Sequence, residues 1–302
     1  MFFKYFSLAD KKRDRENWWR NFYLSSNPKS LILSKLTIMN KLKPVYITLT
    51  ALLLVTIFQS WLPAAKAQRE FYQLTVYHYS NSSQEKVIDD YLQNALLPAL
   101  HKMNIKNIGV FKNHSNDTLT DKTLYVLIPL QSLDEVMKIP EKLYGNKDYQ
   151  AVGASYLNAV YTTAPYSRME IILLHAFSLA PELQLPKLNG SRKDRIYELR
   201  SYESATEKIF KNKVQMFNDG DEIGLFKRLN FNATFYGEVI SGVKMPNLMY
   251  MTCHENKTAR DANWKNFGDD LYWKKLSAMA EYQHNVSHMD ISFLYPTEYS
   301  DY

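Results

Sequence analysis

Tyr197-Glu198-Leu199-Arg200-Ser201-Tyr202 reads Tyr-x-Leu-x-x-Tyr, and so does Tyr72-Gln73-Leu74-Thr75-Val76-Tyr77. Both stretches carry the alternation and aromatic content of a strand, and both run within a few residues into a helix-start signal. After the first comes Ser82-x-x-Glu85, after the second Ser204-x-x-Glu207, each with the spacing of a capping box.

The match extends outward. In the first unit Val87, Ile88, Tyr91, Leu92, Ala95 and Leu96 recur at helical spacing. Residues 105–112 and 123–130 then read as strands, Ser132-x-x-Glu135 opens a helix that Pro140 interrupts, and residues 169–174 form a final strand. In the second unit Ile209, Phe210, Val214 and Phe217 form the helical stripe, which Asp219-Gly220-Asp221 breaks. Residues 231–239 and 247–253 read as strands, and Thr258-x-x-Asp261 opens a helix carrying Trp264 and Phe267. Ser287-His288-Met289-Asp290-Ile291 closes this unit as Ser167-Arg168-Met169-Glu170-Ile171 closes the first. Tyr72 with Tyr197, Tyr77 with Tyr202 and Tyr125 with Tyr250 share one offset, so the chain reads as a duplication.

Each unit is β-α-β-β-α-β, the ferredoxin-like order, whose single sheet has helices on one face only. Two such units hide their bare faces by closing on each other. The expectation is an α+β protein: two tandem ferredoxin-like units over residues 68–175 and 196–302, forming an intramolecular dimeric α/β barrel. Residues 176–195, with Pro181, Pro186, Asn189 and Gly190, read as the linker.

The charge is uneven. The 302 residues carry a net +6, but residues 1–67 hold 11 of the 37 Lys/Arg and 3 of the 31 Asp/Glu, leaving 26 against 28, a net −2, for the rest. No basic excess remains to form a phosphate-binding footprint, so no nucleic-acid partner is expected. The single cysteine, Cys253, excludes an intrachain disulfide and a zinc site with two cysteine ligands. Seven Asn-x-Ser/Thr triplets would be candidate glycosylation sites in a eukaryotic secretory protein, but several arise by chance in a chain with this much Asn, Ser and Thr, so they carry little weight.

From Pro44 to Ala65 no Asp, Glu, Lys, Arg or His occurs; Lys41 and Lys43 precede the run and Ala65-Lys66-Ala67 ends it. Positive flank, apolar middle and small-x-small end make residues 39–67 a secretory signal peptide cleaved after Ala67, or, if retained, an anchor long enough to span a bilayer. Export to the periplasm or the outside is expected, with the membrane as partner only through an uncleaved segment. The charged, aromatic stretch before Met39 fits neither reading; residues 1–38 are read as a non-native or disordered extension, with Met39 as initiator.

Residues 197–202, the strands at 232–237 and 247–252, and the helix with Trp264, Phe267 and Tyr272-Trp273-Lys274 resemble the NIPSNAP domain of the dimeric α/β-barrel superfamily. The resemblance covers about residues 195–295 well and 71–175 weakly; Tyr295-Pro296-Thr297-Glu298-Tyr299-Ser300 is similar to the tail of exported bacterial relatives. It implies the fold but no agreed activity, since the superfamily includes cofactor-free oxygenases, isomerases and haem-dependent enzymes. The first unit has Gln73 and Thr75 where the second has Glu198 and Arg200, so any role of that pair is played once per chain.

Alternation sorts each strand into two faces. Leu199, Met249, Met251 and Cys253 are assigned to the helix side. Glu198, Arg200, Tyr202, Tyr236, Tyr250 and His254, with Asp290 and Ser292, are assigned to the barrel interior, joined from the first unit by Tyr77, Tyr125 and Glu170. As a binding pocket, Arg200 would hold an anionic or carbonyl group while Glu198 or His254 moves a proton. The alternative is that Glu198, Arg200 and Asp290 pair with one another and the tyrosines fill space, since buried charges need partners in any case. His284 and His288 are the only closely spaced histidines and straddle the run into the last strand, so no metal is expected. Neither is a cofactor: the chain has 9 glycines and no glycine-rich phosphate loop.

The function expected is that of an exported small-molecule binder, with homo-oligomers open. The alternatives are a structural or interaction protein with a filled barrel, or a cofactor-free oxygenase- or isomerase-like enzyme. A cavity of a few hundred cubic ångström lined by Glu198 and Arg200 would favour binding.

Overall fold

The structure, a computed structural model, describes residues 68–302; the readings of residues 1–67 as extension, signal peptide or anchor lie outside the described residues. Among those described, no helix is long and apolar enough to cross a membrane.

The first half runs β1 (Phe71–Tyr79), α1 (Ser82–Tyr91), a π-helical turn (Leu92–Leu96), α2 (Leu97–Lys102), β2 (Gly109–Asn113), β3 (Lys122–Leu130), α3 (Asp134–Tyr144), α4 (Lys147–Val152), α5 (Ala154–Leu157) and β4 (Arg168–Ala176). The second runs β5 (Ile196–Glu203), α6 (Glu207–Asn218), α7 (Glu222–Arg228), β6 (Phe235–Ser241), β7 (Asn247–His254), α8 (Lys257–Asp269), α9 (Leu271–Ser277) and β8 (His288–Pro296). The eight strands close a barrel in the order β1-β3-β2-β8-β5-β7-β6-β4, every pairing antiparallel. Each half thus has the strand order 4-1-3-2 of a ferredoxin-like sheet, and two seams, β2–β8 and β4–β6, join the halves without a free edge.

The helix starts differ from the expected boxes. Asn81, Thr206 and Asn256 are the N-caps, each in extended conformation and accepting from the backbone amide three residues on, at Gln84, Ile209 and Ala259. Pro140 lies inside α3 and does not end it. Two strands start later than expected because the backbone first passes through left-handed residues, Asn107 before β2 and Asn232 before β6, a conformation asparagine tolerates.

Three layers of apolar packing result. Inside the barrel lie Leu74, Val76, Leu127, Leu199, Met249 and Met251 among others. The outer face of the first sheet packs on α1–α5 through Ile88, Leu92, Leu100 and Val126. That of the second packs on α6–α9 through Phe217, Phe226, Tyr250 and Phe267. One barrel end is plugged: Leu183 from the segment between the halves and Tyr302 from the tail are buried in the interior cluster. The tail is held there by Ser300 and Asp301, which accept from the amides of Val110 (3.0 Å) and Ile108 (2.7 Å).

Candidate functional site

The face assignment from alternation is inverted for β5, β6 and β7. Leu199, Met249, Met251 and Cys253 point into the barrel. Tyr202, Tyr236 and Tyr250 belong to the cluster under the helices, as do the polar side chains that alternate with them, Glu198, Arg200 and His254. Tyr77 likewise lies under the helices of its half. Asp290, Ser292, Tyr125 and Glu170 do face the interior cavity. Alternation separates two sets but does not say which is inside. Here the narrow interior takes the apolar set, and the helix side supplies Arg260 and Trp264 to the charged one.

That second set forms a closed network. Glu198, with no exposure, accepts from Arg200 Nε (2.7 Å), from Arg260 Nε (2.6 Å) and Nη2 (2.8 Å), and from Trp264 Nε1 (2.8 Å). Burial pushes its carboxyl up, but Arg260 and Arg200 outweigh this and hold it below the usual carboxylate range. Arg200 also donates to the Tyr202 hydroxyl at 2.9 Å, which pairs with the Tyr250 hydroxyl at 2.7 Å. His254 is 1 % exposed; Asn263 Nδ2 donates to its Nδ1 and its Nε2 donates to Thr252 Oγ1, both at 3.2 Å. Burial lowers its pKa to about 4, so the imidazole is neutral. These groups pin α8 to the sheet by pairing with one another, not across the barrel, and are saturated by protein partners.

The register of β3 and β7 explains a second discrepancy. Leu124 stands opposite Tyr77 and Leu248 opposite Tyr202. Tyr250 therefore corresponds to Val126, and Tyr125 to Met249. A slip of one residue between the halves moves the matched tyrosine from the interior in β3 to the helix face in β7.

The interior cavity opens at the end opposite the plug. Its volume is about 240 Å³. Its floor is apolar, with Leu74, Val76, Ile172, Leu199, Val239 and Met249, and its mouth carries His78, Glu170, Lys244, Asn247, Asp290 and Ser292. Of the residues singled out in the sequence, Asp290, Ser292, Glu170 and Tyr125 line it; Glu198 and Arg200 do not. Lys244 forms an ion pair with Asp290, whose carboxyl it holds below the ordinary range. Arg168 pairs with Glu170 at 2.5 Å, and His78 Nε2 lies 3.8 Å from the same carboxylate. Asn247 is 2 % exposed; its Nδ2 donates to Ser201 Oγ at 2.9 Å, while its Oδ1 has no partner among the described residues. Asn247 and Lys244 escaped the sequence reading. Asn247 begins a strand and Lys244 lies in the loop before it, and only closure of the barrel brings that loop over the mouth.

Beside the mouth, Glu203, His288 and Asp290 each place one ligand atom within 4.8 Å of the others. These residue types can hold a divalent cation, but Lys244 already neutralises Asp290.

A closed antiparallel barrel of two 4-1-3-2 sheets with helices outside is the architecture of dimeric α/β-barrel proteins, here within one chain. One solved structure agrees in fold, and others are similar to a lesser degree. A presumed monooxygenase from Lactobacillus acidophilus NCFM matches with a TM-score of 0.51 at 12% identity, over 76% of this chain and 94% of that one. Another from Fusobacterium nucleatum gives 0.47 at 7% identity, over 76% and 93%. An anthrone oxidase-like protein gives 0.46 at 9%, over 77% and 93%. At such identities the likeness is one of fold. The NIPSNAP family model matches residues 197–301, which supports that family for the second half of the chain. A comparison with curated protein sequences finds no match.

Proposed function

We propose that the protein binds a small molecule in the open mouth of its barrel. The observation that carries this reading is the cavity itself, about 240 Å³ inside the closed barrel, apolar at its floor and polar at its mouth. The charges at the mouth set the rest. Arg168 pairs with Glu170 and Lys244 with Asp290, so the mouth offers an anion no unpaired cation among the described residues. The apolar floor takes a hydrocarbon body. The ligand class is a neutral or cationic molecule with an apolar body and a hydrogen-bond-donating head. The leader-like residues 39–67 support a site of action outside the cytoplasm, with that segment cleaved or kept as an anchor.

The test is calorimetric titration and thermal shift of the purified protein with hexylamine, phenethylamine and cyclohexylmethanol, and with hexanoate as the anionic control. Binding of at least one of the first three, lost in Ser292→Phe, which fills the mouth, supports the reading. No binding by any of them, or hexanoate binding most tightly, favours a barrel that serves only as structure.

A further inference from the structure

The two halves differ most in the space between the outer sheet face and the helices. In the second half that space is filled. Arg200 lies flat on Trp264, 3.7 Å from the ring centroid, with Tyr250 and His254 beside it. The register places Gln73 and Thr75 at the positions of Glu198 and Arg200, and Val126, Ile128 and Leu130 at those of Tyr250, Thr252 and His254. Arg200 and Tyr250 have the smaller Thr75 and Val126 as counterparts and Glu198 the uncharged Gln73, and the helices do not collapse onto the difference. A cavity of about 290 Å³ remains, lined on the strand side by Thr75 and Val126 and on the helix side by Tyr91, Tyr149, Tyr156 and Leu143.

We infer that this cavity is a second ligand site, separate from the barrel mouth, for a flat, uncharged molecule carrying a hydroxyl or carbonyl oxygen. Its size is near the lower end for small-molecule sites, about 300 Å³. No Asp, Glu, Lys, Arg or His lines it, so an ion entering would lose its hydration without a counter-charge. Flatness follows from the wall. Tyr91 and Tyr156 are stacked at 3.8 Å with their planes 4° apart, a ready-made face for another ring. The polar atoms are phenols. The Tyr91 and Tyr149 hydroxyls pair at 2.8 Å, and the Tyr156 hydroxyl reaches that of Tyr77 at only 3.4 Å, leaving hydrogen-bonding capacity for an oxygen. Burial pushes the Tyr77 hydroxyl up to about 12, so it remains a neutral donor. Access is along β4, where Met169 and Ile171 are 40% and 46% exposed, beside Tyr144 at 84%.

The experiment titrates the full chain with 2-naphthol, an uncharged fused-ring phenol, followed by its fluorescence. Naphthalene-2-sulfonate serves as the charged match and 1-decanol as a linear competitor. Saturable one-to-one binding of 2-naphthol is expected, with the sulfonate at least about tenfold weaker because its charge must be desolvated. Val126→Tyr restores the bulk present in the second half and should weaken 2-naphthol binding at least about tenfold, by occupying the space the ring would fill. Thr75→Met is a second filler, should Val126→Tyr not fold. Ser292→Phe, which blocks the barrel mouth, should leave this binding unchanged and so separates the two sites. The inference is overturned if 2-naphthol does not saturate, if the sulfonate binds equally well, if decanol displaces 2-naphthol at equal affinity, or if Ser292→Phe and not the fillers abolishes binding.

Discussion

The guanidinium of Arg200 stacks on the indole of Trp264 at 3.7 Å while both side chains hydrogen-bond to the same carboxylate, that of Glu198. Strand β5 and helix α8 are thereby joined by a charge network centred on the fully buried Glu198, with the partly exposed Arg260 as its outer member. Removing Arg200 leaves Glu198 with one cation instead of two and opens a void against Trp264.

Arg200→Ala is therefore expected to cost about 3–5 kcal/mol of stability, the range for breaking a buried pair by removing one partner. Ligand binding at the barrel mouth should be unchanged, since Arg200 lies on the other face of the sheet. Urea unfolding and titration of hexylamine on the same variant test both halves of the statement. A variant of native stability with lost binding would mean that the residue serves the ligand and not the fold.

His254 gives the fold a pH dependence with a definite sign. Its folded-state pKa is lowered from 6.5 to about 4, mainly by burial. The unfolded chain thus binds the proton first, and this contribution to stability is complete above the unfolded value and lost as the pH falls from 6.5 towards 4. Between pH 7 and pH 5 the loss is about 2 kcal/mol. Unfolding by urea at the two pH values measures it, and His254→Leu should flatten the dependence in that window while lowering stability at both. An unchanged slope in the variant would assign the effect to other groups.

Tyr302 seals the closed end of the barrel, its ring centroid 5.2 Å from that of Phe111 and 6.2 Å from that of Tyr197. Tyr302→Ala should cost about 3–5 kcal/mol, the range for truncating a buried aromatic. Its hydroxyl has no partner among the described residues, so Tyr302→Phe should change stability by less than about 1 kcal/mol. Thermal unfolding of the two variants checks the contrast; a large loss in the phenylalanine variant would reveal a bond to that oxygen.

What the sequence disclosed and what it hid divide along physical lines. The Tyr-x-Leu-x-x-Tyr repeat, the helical stripes and the break at Asp219-Gly220-Asp221 are local patterns, and each lies where the chain builds the corresponding element. Closure into a barrel followed because two one-sided sheets in one chain have little else to cover them. Which face of β5 turned inward was not local information. It depended on Arg260 and Trp264, some sixty residues further on, arriving above Glu198. The one-residue slip between β3 and β7 hid in a coincidence, since Tyr125 and Tyr250 share the spacing of true counterparts while facing opposite ways. Of the proposed site, Asp290 was found because alternation along its strand puts it on the inward face with Ser292. Asn247 was missed because an asparagine at a strand start resembles a turn residue until its neighbours are placed.

Lys213 and Glu222 test how a second buried pair is used. Lys213 on α6 and Glu222 at the start of α7 meet at 2.9 Å with side-chain exposures of 5% and 3%. The bend at Asp219-Gly220-Asp221 between the helices brings the carboxylate back over the ammonium, and the ammonium lies 4.7 Å from the Phe217 ring centroid. Lys213→Met keeps most of the volume but strands Glu222, and should cost about 3–5 kcal/mol. Glu222→Leu alone strands the ammonium and should cost a similar amount. The double variant removes both charges and fills the space with hydrocarbon, so it should recover to within about 1–2 kcal/mol of the parent. The double-mutant cycle from urea unfolding reads this as a large coupling between the sites. Additive losses would instead show that each residue acts through its own packing, Lys213 against Phe217 and Glu222 at the helix start, with the ion pair incidental to both.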